Sequence, residues 1–248
     1  MFDAHCHIPS PAQIREIPSD WRGLVCTSRQ EEWTSLLMTV ETSLGMTGAI
    51  GALPSGKGSP PLHMIERMER ILDHAPSVQI GEVGLDRRFQ DAAPIAAQRE
   101  FLVDALELGY RRHRSVTLHI VGNERILFDI LQAKRGRLPL MIWHGYTGSV
   151  ETAKRFVATG GILSFGPSLW RPHLKLAARL AELRDMPFVW ETDWPEGWLP
   201  EPWRQLPYEE MLSAHASRLA AAMDTNEERL EERIDAIGTL LTNQQTPR

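Results

Sequence analysis

The chain has 248 residues, of which 42% are hydrophobic and 24% are charged, a composition typical of a soluble globular enzyme. Its formal net charge of -5 excludes a general electrostatic attraction to nucleic acid or anionic membranes, so a polyanionic substrate would need local positive charge or bound metal. No run approaches the roughly 18 apolar residues of a membrane helix, and the N-terminus lacks a signal-peptide pattern. Cys6 and Cys26 lie in apolar runs, which indicates free thiols and predicts a cytoplasmic protein without a membrane partner.

Short apolar runs alternate with helical patterns along the chain. The runs predict strands at residues 2–6, 22–26, 48–52, 78–82, 115–120, 140–144, 161–165 and 187–191. Helices are predicted at 61–74, 94–109, 123–134, 149–159, 172–184, 208–223 and 226–241. This alternation predicts parallel βα units, and eight strands in this length fit a closed (β/α)8 TIM-type barrel, one α/β domain over residues 1–248. A doubly wound sheet is the alternative. The proline-rich link after the first strand and residues 52–61 are predicted to be irregular.

Residues that commonly bind metals close five of the predicted strands. They are His5, His7, Glu82, His119, His144 and Asp193. His5 and His7 are two apart on a strand, so both rings point to one face and can bind one cation. Any one of these residues alone has an ordinary structural explanation. Together they predict one metal site where the parallel strands finish.

Glu82 is the central residue of this predicted site. It lies in an apolar run between Gly81 and Gly84, where a carboxylate is costly to bury unless it is paired or binds a cation. The alternative is a buried salt bridge to an arginine. A set of four histidines, one glutamate and one aspartate suits Zn, Mn or a similar ion better than Ca. Six ligands exceed what one zinc needs, so we expect two divalent ions bridged by Glu82.

Five motifs in family order resemble the TatD-type metal-dependent deoxyribonucleases, which belong to the amidohydrolase-like barrels. The matching segments are Asp3-Ala4-His5-Cys6-His7, Gly81-Glu82-Val83-Gly84-Leu85-Asp86, His119, His144-Gly145-Tyr146-Thr147-Gly148 and Glu191-Thr192-Asp193-Trp194-Pro195. They extend from residue 3 to residue 195, so the resemblance covers most of the chain. No single motif is specific, but the set is.

The resemblance implies two divalent ions (Mg, Mn or Zn). One would be held by His5, His7, Glu82 and Asp193, and the other by Glu82, His119 and His144. It also implies hydrolysis of DNA, typically single-stranded and from the 3′ end. In this mechanism Glu82 and Asp193 are the catalytic residues, with Asp193 orienting or deprotonating a water.

The chain departs from the family pattern near the predicted substrate site. The family commonly has an arginine two residues after the histidine of the fifth strand, and Val121 stands there. Arg87 and Arg88 follow the second motif and are candidate replacements for its charge. Tyr146 and Trp194 complete the predicted substrate-binding residues. Trp194, Trp198 and Trp203 share one loop and would either stack on bases or pack against each other.

Two other functions remain open from sequence. A small-molecule amidohydrolase or lactonase could use the same barrel, although many of these enzymes bridge their ions with a carboxylated lysine, and no lysine closes a predicted strand. The chain could also be a nuclease-like subunit of a larger complex, with partner proteins from a dedicated operon such as one for phage defence. Digestion of labelled DNA beside a panel of esters, lactones and amides would separate these functions.

Overall fold

A computed structural model describes residues 2–7, 21–43, 45–53, 63–195 and 197–242. Eight parallel strands form one sheet in sequence order, which confirms the predicted barrel. They are β1 Phe2–Cys6, β2 Arg22–Cys26, β3 Met46–Ile50, β4 Gln79–Asp86, β5 Val116–Val121, β6 Met141–Trp143, β7 Gly161–Phe165 and β8 Phe188–Trp190.

Helices surround the strands. The α-helices are α1 Trp33–Thr42, α2 Met64–His74, α3 Ile95–Arg112, α4 Glu124–Ala133, α5 Val150–Val157, α6 Tyr208–Ala222 and α7 Glu227–Thr242. Helix α1 was missing from the sequence prediction. The α-helix predicted over 172–184 is instead a 3-10 helix at Leu176–Leu183. The predicted irregular link after β1 and most of the predicted loop 52–61 lie outside the described residues.

Strand β4 extends four residues beyond its predicted end, and β5 is shifted by one residue toward the C-terminus, so two predicted ligands do not lie at strand ends. Glu82 lies in the middle of β4, and His119 lies inside β5. The two strands continue side by side because Gly84 pairs with His119 and Asp86 pairs with Val121. A Cβ at position 84 would collide with the His119 carbonyl oxygen, so glycine is required there. Both side chains still reach the barrel interior.

The seam between β8 and β1 is joined differently from the other strand pairs. Parallel ladders join each strand to the next from β1 to β8, with a register shift in the β1–β2 pair and another in the β4–β5 pair. At the seam, the Asp193 N–H donates to the His5 carbonyl at 2.9 Å, and the His7 N–H donates to the Trp194 carbonyl at 2.6 Å. The Trp190 indole N–H donates to the Phe2 carbonyl at 2.5 Å. The barrel is therefore closed by a few irregular hydrogen bonds beside the predicted metal ligands.

Apolar side chains fill the barrel and the layer between strands and helices, while polar residues collect at the carboxyl ends of the strands. Ala4, Leu118, Leu163 and Val189 are fully buried, and so are His5 and Glu191. Within the described ranges, no helix is both long enough and apolar enough to cross a membrane.

Candidate metal centre

The barrel brings the six predicted metal ligands together at the carboxyl ends of its strands. His5 comes from β1 and His7 directly follows it, while Glu82 and His119 come from β4 and β5. His144 directly follows β6, and Asp193 lies three residues beyond the end of β8 with a positive φ of 54°. Ligands from five strands therefore meet in one place, as the sequence predicts.

One half of the site consists of His5, His7 and Asp193. The Nε2 atoms of the two histidines lie 3.1 Å apart. Asp193 Oδ1 is 3.6 Å from His5 Nε2 and 3.5 Å from His7 Nε2. The ligand atoms of these three residues all lie within 4.8 Å of one another, a spacing that can hold a metal ion. The Asp193 side chain is 34% exposed and so faces the opening of the barrel.

The two carboxylate oxygens of Glu82 face opposite halves of the site. Oε1 lies 3.5 Å from His7 Nε2. Oε2 lies 2.9 Å from His144 Nε2 and 3.2 Å from His119 Nδ1. His5, Glu82 and His144 form a second group with the spacing of a metal site, so His5 borders both halves. This arrangement fits a bridging carboxylate.

The outer nitrogens of His7 and His119 are hydrogen-bonded to oxygen atoms of the protein, whereas that of His144 only lies near one. His7 Nδ1 is 2.9 Å from the Cys26 carbonyl, and His119 Nε2 is 2.9 Å from Asp86 Oδ2. His144 Nδ1 lies 3.5 Å from Glu191 Oε1. Such contacts place the proton on the outer nitrogen and turn the inner lone pair toward the site. Asp86 and Glu191 stand in the quoted motifs, but sequence reasoning gave them no role.

The inner atoms of the site are poorly matched to each other and fit a cation. With neutral rings, His119 Nδ1 and His144 Nε2 would direct lone pairs at each other across 2.9 Å. Glu82 Oε2 is buried and makes no well-directed hydrogen bond with any described residue. Buried carboxylates and imidazoles in this state are stabilised by a bound metal ion. The donor set of nitrogen and oxygen atoms suits a first-row divalent ion.

Electrostatics within the site favour ionised carboxylates and a neutral His5. Burial would lower the pKa of His119 and of His144, but the neighbouring carboxylates raise both, so a metal ion would have to displace protons from these two rings. Burial would raise the pKa of the Glu82 carboxyl, but His144 and His119 hold it well below its ordinary value. Burial also opposes ionisation of Asp193, and His5 and His7 lower its pKa. Burial and the nearby His144 lower the pKa of His5, which keeps this ring neutral. Both carboxylates are thus ionised, and His5 is available as a ligand.

Arg88, which was predicted to contact substrate, is paired within the protein, although 59% of its side chain is exposed. Its guanidinium binds the buried carboxylate of Asp86, with Nε 2.9 Å from Oδ1 and 3.0 Å from Oδ2. The same carboxylate holds His119. Arg88 therefore supports a predicted metal ligand through Asp86, and its charge is neutralised there.

Arg87 differs from its neighbour because its guanidinium is free. It is exposed, and it forms no ion pair with any residue in the described ranges. Its side chain lies against Gly122. The preceding residue is Val121, and the resembling family commonly has an arginine at the position of this valine. Gly122 has a φ of +72°, and a Cβ there would collide with the Arg87 side chain. Arg87 thus occupies the neighbourhood of the missing arginine.

The prediction that Tyr146 contacts substrate is wrong. Its ring is 1% exposed and packs edge-on against Trp143, with ring centroids 5.0 Å apart. Its hydroxyl donates to the Ser149 carbonyl at 2.6 Å. Tyr146 therefore anchors the loop after β6. Trp194 is half-buried and packs edge-on against Tyr208 at 5.5 Å, so part of its indole remains accessible beside Asp193.

A buried network that sequence reasoning missed holds the turn that carries Asp193. Asp3 Oδ2 accepts hydrogen bonds from the Thr192 hydroxyl and the Tyr208 hydroxyl, each at 2.6 Å. Trp21 donates its indole N–H to the same tyrosine oxygen at 2.6 Å. Burial raises the pKa of Asp3 to about 7 despite these hydrogen bonds. In the sequence, Asp3 stands out only as the first residue of a motif, and no sequence signal pointed to Tyr208.

Comparison with known proteins agrees with this geometry. The family model described as TatD related DNase matches residues 2–240. The chain is 27% identical over 208 residues to the uncharacterized metal-dependent hydrolase YjjV of Escherichia coli, covering 79% of each chain. It is also 27% identical over 211 residues to the uncharacterized metal-dependent hydrolase MJ1582 of Methanocaldococcus jannaschii, covering 78% of each.

Solved structures show the same fold. The crystal structure of YjjV, a TatD homolog from Escherichia coli, superposes with a TM-score of 0.82 at 22% identity, covering 100% of this chain and 98% of that one. A TatD family hydrolase from Entamoeba histolytica gives a TM-score of 0.74 at 10% identity, covering 99% and 98%. The match of the family model across nearly the whole chain, together with the site geometry, shows that this protein belongs to the TatD family of metal-dependent hydrolases.

Proposed function

We propose that the protein hydrolyses phosphodiester bonds of DNA, with single-stranded DNA as the preferred substrate and two divalent ions sharing Glu82. The observation that supports this most directly is the position of the two Glu82 oxygens. One faces His7 and the other faces His119 and His144, at distances of 3.5, 3.2 and 2.9 Å. A carboxylate in this position can bind two cations at once.

The residues of the chain have separable roles in such a reaction. When bound, the metal ions would lower the pKa of a water and neutralise charge on the scissile phosphate. His5, His7, His119 and His144 would hold them. Asp193, ionised and partly exposed at the opening of the barrel, would orient the attacking water and accept its proton. Arg87 would bind a phosphate next to the one that is cleaved.

The proposal is tested by incubating the purified protein with end-labelled single-stranded DNA, duplex DNA and RNA. Each substrate is assayed with Mg, Mn or Zn and with excess chelator. We expect metal-dependent shortening of single-stranded DNA from one end. The variant Glu82→Gln serves as the control for a contaminating nuclease and should be inactive.

A panel of lactones, amides and esters belongs beside the nucleic acids because metal ions on a barrel can polarise a carbonyl as readily as a phosphoryl group. Turnover of a lactone or amide without cleavage of any nucleic acid would contradict the proposal. It would assign the site to a small-molecule amidohydrolase or lactonase.

A further inference from the structure

Three exposed basic side chains follow β7 at the same end of the barrel as the metal centre. They are Arg171, His173 and Lys175, and we call residues 171–175 the basic rim segment. In the part of the chain that the structure describes, none of the three side chains forms an ion pair. Some exposed arginines are neutralised instead, as Arg179 is by Glu182 and Arg204 is by Glu201, at 2.6 and 2.8 Å. The segment therefore places unpaired basic side chains close together in sequence at the end of the barrel that carries the candidate metal centre.

The segment has a defined place in the fold. It begins directly after the short helix Pro167–Trp170, whose last residue is buried and donates its indole N–H to His215 at 2.9 Å. The Leu174 N–H donates to the Arg171 carbonyl at 3.0 Å, which forms a turn. The backbone under the basic side chains is thus fixed.

Trp198 connects this segment to the metal centre. The Arg171 guanidinium lies 5.4 Å from the centre of the Trp198 ring. Residue 197, directly before this tryptophan, donates its N–H to the Asp193 carbonyl at 2.5 Å and lies against the Asp193 side chain. Trp198 therefore follows directly on the turn that carries a predicted metal ligand, and its half-buried indole contacts the basic rim segment.

We propose that Trp198 and the basic rim segment bind the part of a single-stranded nucleic acid that extends beyond the scissile phosphate. This inference rests on the proposed function and adds a binding surface to it. A base would stack on the indole, and Arg171 and Lys175 would contact successive phosphates. Aromatic rings beside a line of positive charges are the usual means of binding single strands without sequence preference.

Two sets of substitutions test this surface in the full-length, metal-replete protein. Trp198→Leu removes the stacking ring but keeps apolar packing. The double variant Arg171→Ala/Lys175→Ala removes only exposed charge. Arg179→Ala/Arg204→Ala is the matched control, since it removes two exposed but paired arginines. Binding of fluorescein-labelled, cleavage-resistant phosphorothioate oligo(dT) of two, four and ten nucleotides is measured by fluorescence anisotropy at several salt concentrations.

We expect Trp198→Leu to weaken binding of the ten-nucleotide chain about 5- to 150-fold, the range for loss of one stacking contact. The loss should grow with oligonucleotide length. Removing Arg171 and Lys175 should reduce the slope of log Kd against log salt by roughly 1.4, since each phosphate contact on a single strand contributes about 0.7. The control variant should match wild type in both measurements.

Wild-type affinity for the ten-nucleotide chain in both test variants would overturn the proposal. So would wild-type protein that binds ten nucleotides no more tightly than two. Because binding is measured without turnover, failure of the proposed function has a different outcome. A protein that binds long single strands through these residues but cleaves no nucleic acid would refute the nuclease activity and retain this surface.

Discussion

His215 and the histidines of the candidate metal centre differ in whether their ring nitrogens find hydrogen-bond partners of the opposite kind within the protein. His215, on α6, accepts a hydrogen bond from the Trp170 indole at 2.9 Å and donates to the Phe165 carbonyl at 2.6 Å. Both of its nitrogens are matched within the protein. In the metal centre, by contrast, inner nitrogens of His119 and His144 face each other and the Glu82 carboxylate. Ring nitrogens that lack a matching donor or acceptor therefore identify a binding site better than burial does, because His215 is buried as well.

The substitution Glu82→Gln should have the largest effect because it removes the carboxylate that both halves of the site face. An amide cannot bridge two cations, so we expect hydrolysis of every substrate to fall to background and metal stoichiometry to drop. Elemental analysis and an activity assay measure these effects. Retention of two ions and wild-type rates would mean that Glu82 is only a buried ion-pair partner of the histidines.

Asp193→Asn should cause the next largest loss, since it removes one ligand and the proposed base together. We expect kcat to fall by roughly 10²–10⁴-fold. His63 provides a control because it is exposed and, among the residues that the structure describes, pairs only with Glu66. His63→Ala should leave kcat within about twofold of wild type. Equal kcat values for Asp193→Asn and wild type would contradict the role of this carboxylate.

Substitution of His215, whose ring nitrogens are both hydrogen-bonded within the protein, should affect stability rather than catalysis. Burial lowers the pKa of His215 to about 4. The unfolded chain therefore takes up a proton near pH 6.5 while the folded chain does not. The contribution of His215 to the free energy of unfolding is therefore complete above about pH 6.5. It is lost as the pH falls toward 4, by about 3 kcal/mol in total.

Denaturant unfolding at several pH values tests this difference between wild type and His215→Phe. The variant should be less stable at pH 7, but its stability should decline less steeply between pH 6.5 and 4. Its kcat at neutral pH should stay within a few-fold of wild type. Parallel stability curves for the two proteins would show that folding does not lower the pKa of His215.

Divalent metal ions should stabilise the folded protein by binding to the candidate metal centre and not to His215. At 100 times its Kd, a bound ion adds roughly 2.7 kcal/mol, which corresponds to roughly 5–10 °C in Tm for a chain of this size. We expect this increase in wild type and a much smaller one in His144→Ala. Differential scanning fluorimetry with and without chelator measures it. An unchanged Tm with every divalent ion tested would argue against a metal centre.

The smallest effect is expected for Arg87→Ala. Arg87 and Arg88 repeat, for arginines, the comparison between a side chain with no partner in the described part of the chain and one with a partner. Arg87 is unmatched among the described residues, whereas Arg88 binds Asp86. Arg87→Ala should raise the KM for an oligonucleotide roughly 3- to 10-fold with little change in kcat, and should weaken its salt dependence. Arg88→Ala should instead lower kcat or metal affinity, because it loosens the carboxylate that holds His119. Identical effects of the two substitutions would remove the distinction.

The barrel was predictable because its strands are continuous apolar runs, and each run ends near a break such as Gly122 or Gly145. Helix α1 escaped prediction since it contains β-branched residues and buries only Trp33 and Leu36, which leaves a weak helical pattern. The predicted metal ligands and their order along the chain could be identified from the sequence because they follow the positions of the strands. Each ligand lies on a strand or just beyond the end of one.

The surroundings of the metal ligands were not readable from sequence. Tyr208 meets Asp3 across 205 positions of the chain, and no local pattern encodes such a contact. The substrate role predicted for Tyr146 failed because an aromatic residue beside a catalytic motif serves packing as readily as recognition. Arg87 and Arg88 are adjacent and chemically identical, so only the fold distinguishes the paired one from the free one.

The seam between β8 and β1 has a consequence for local unfolding. It is joined by irregular hydrogen bonds, and the ligands on its two sides, His5 and Asp193, would share a cation. Such a region opens more readily than a regular ladder, and anything that binds both sides suppresses that opening. Amide hydrogen exchange at His5, His7 and Asp193 should therefore slow markedly when metal is added, whereas exchange in the ladder between β6 and β7 should hardly change. The weakest closure of the barrel would then report metal occupancy.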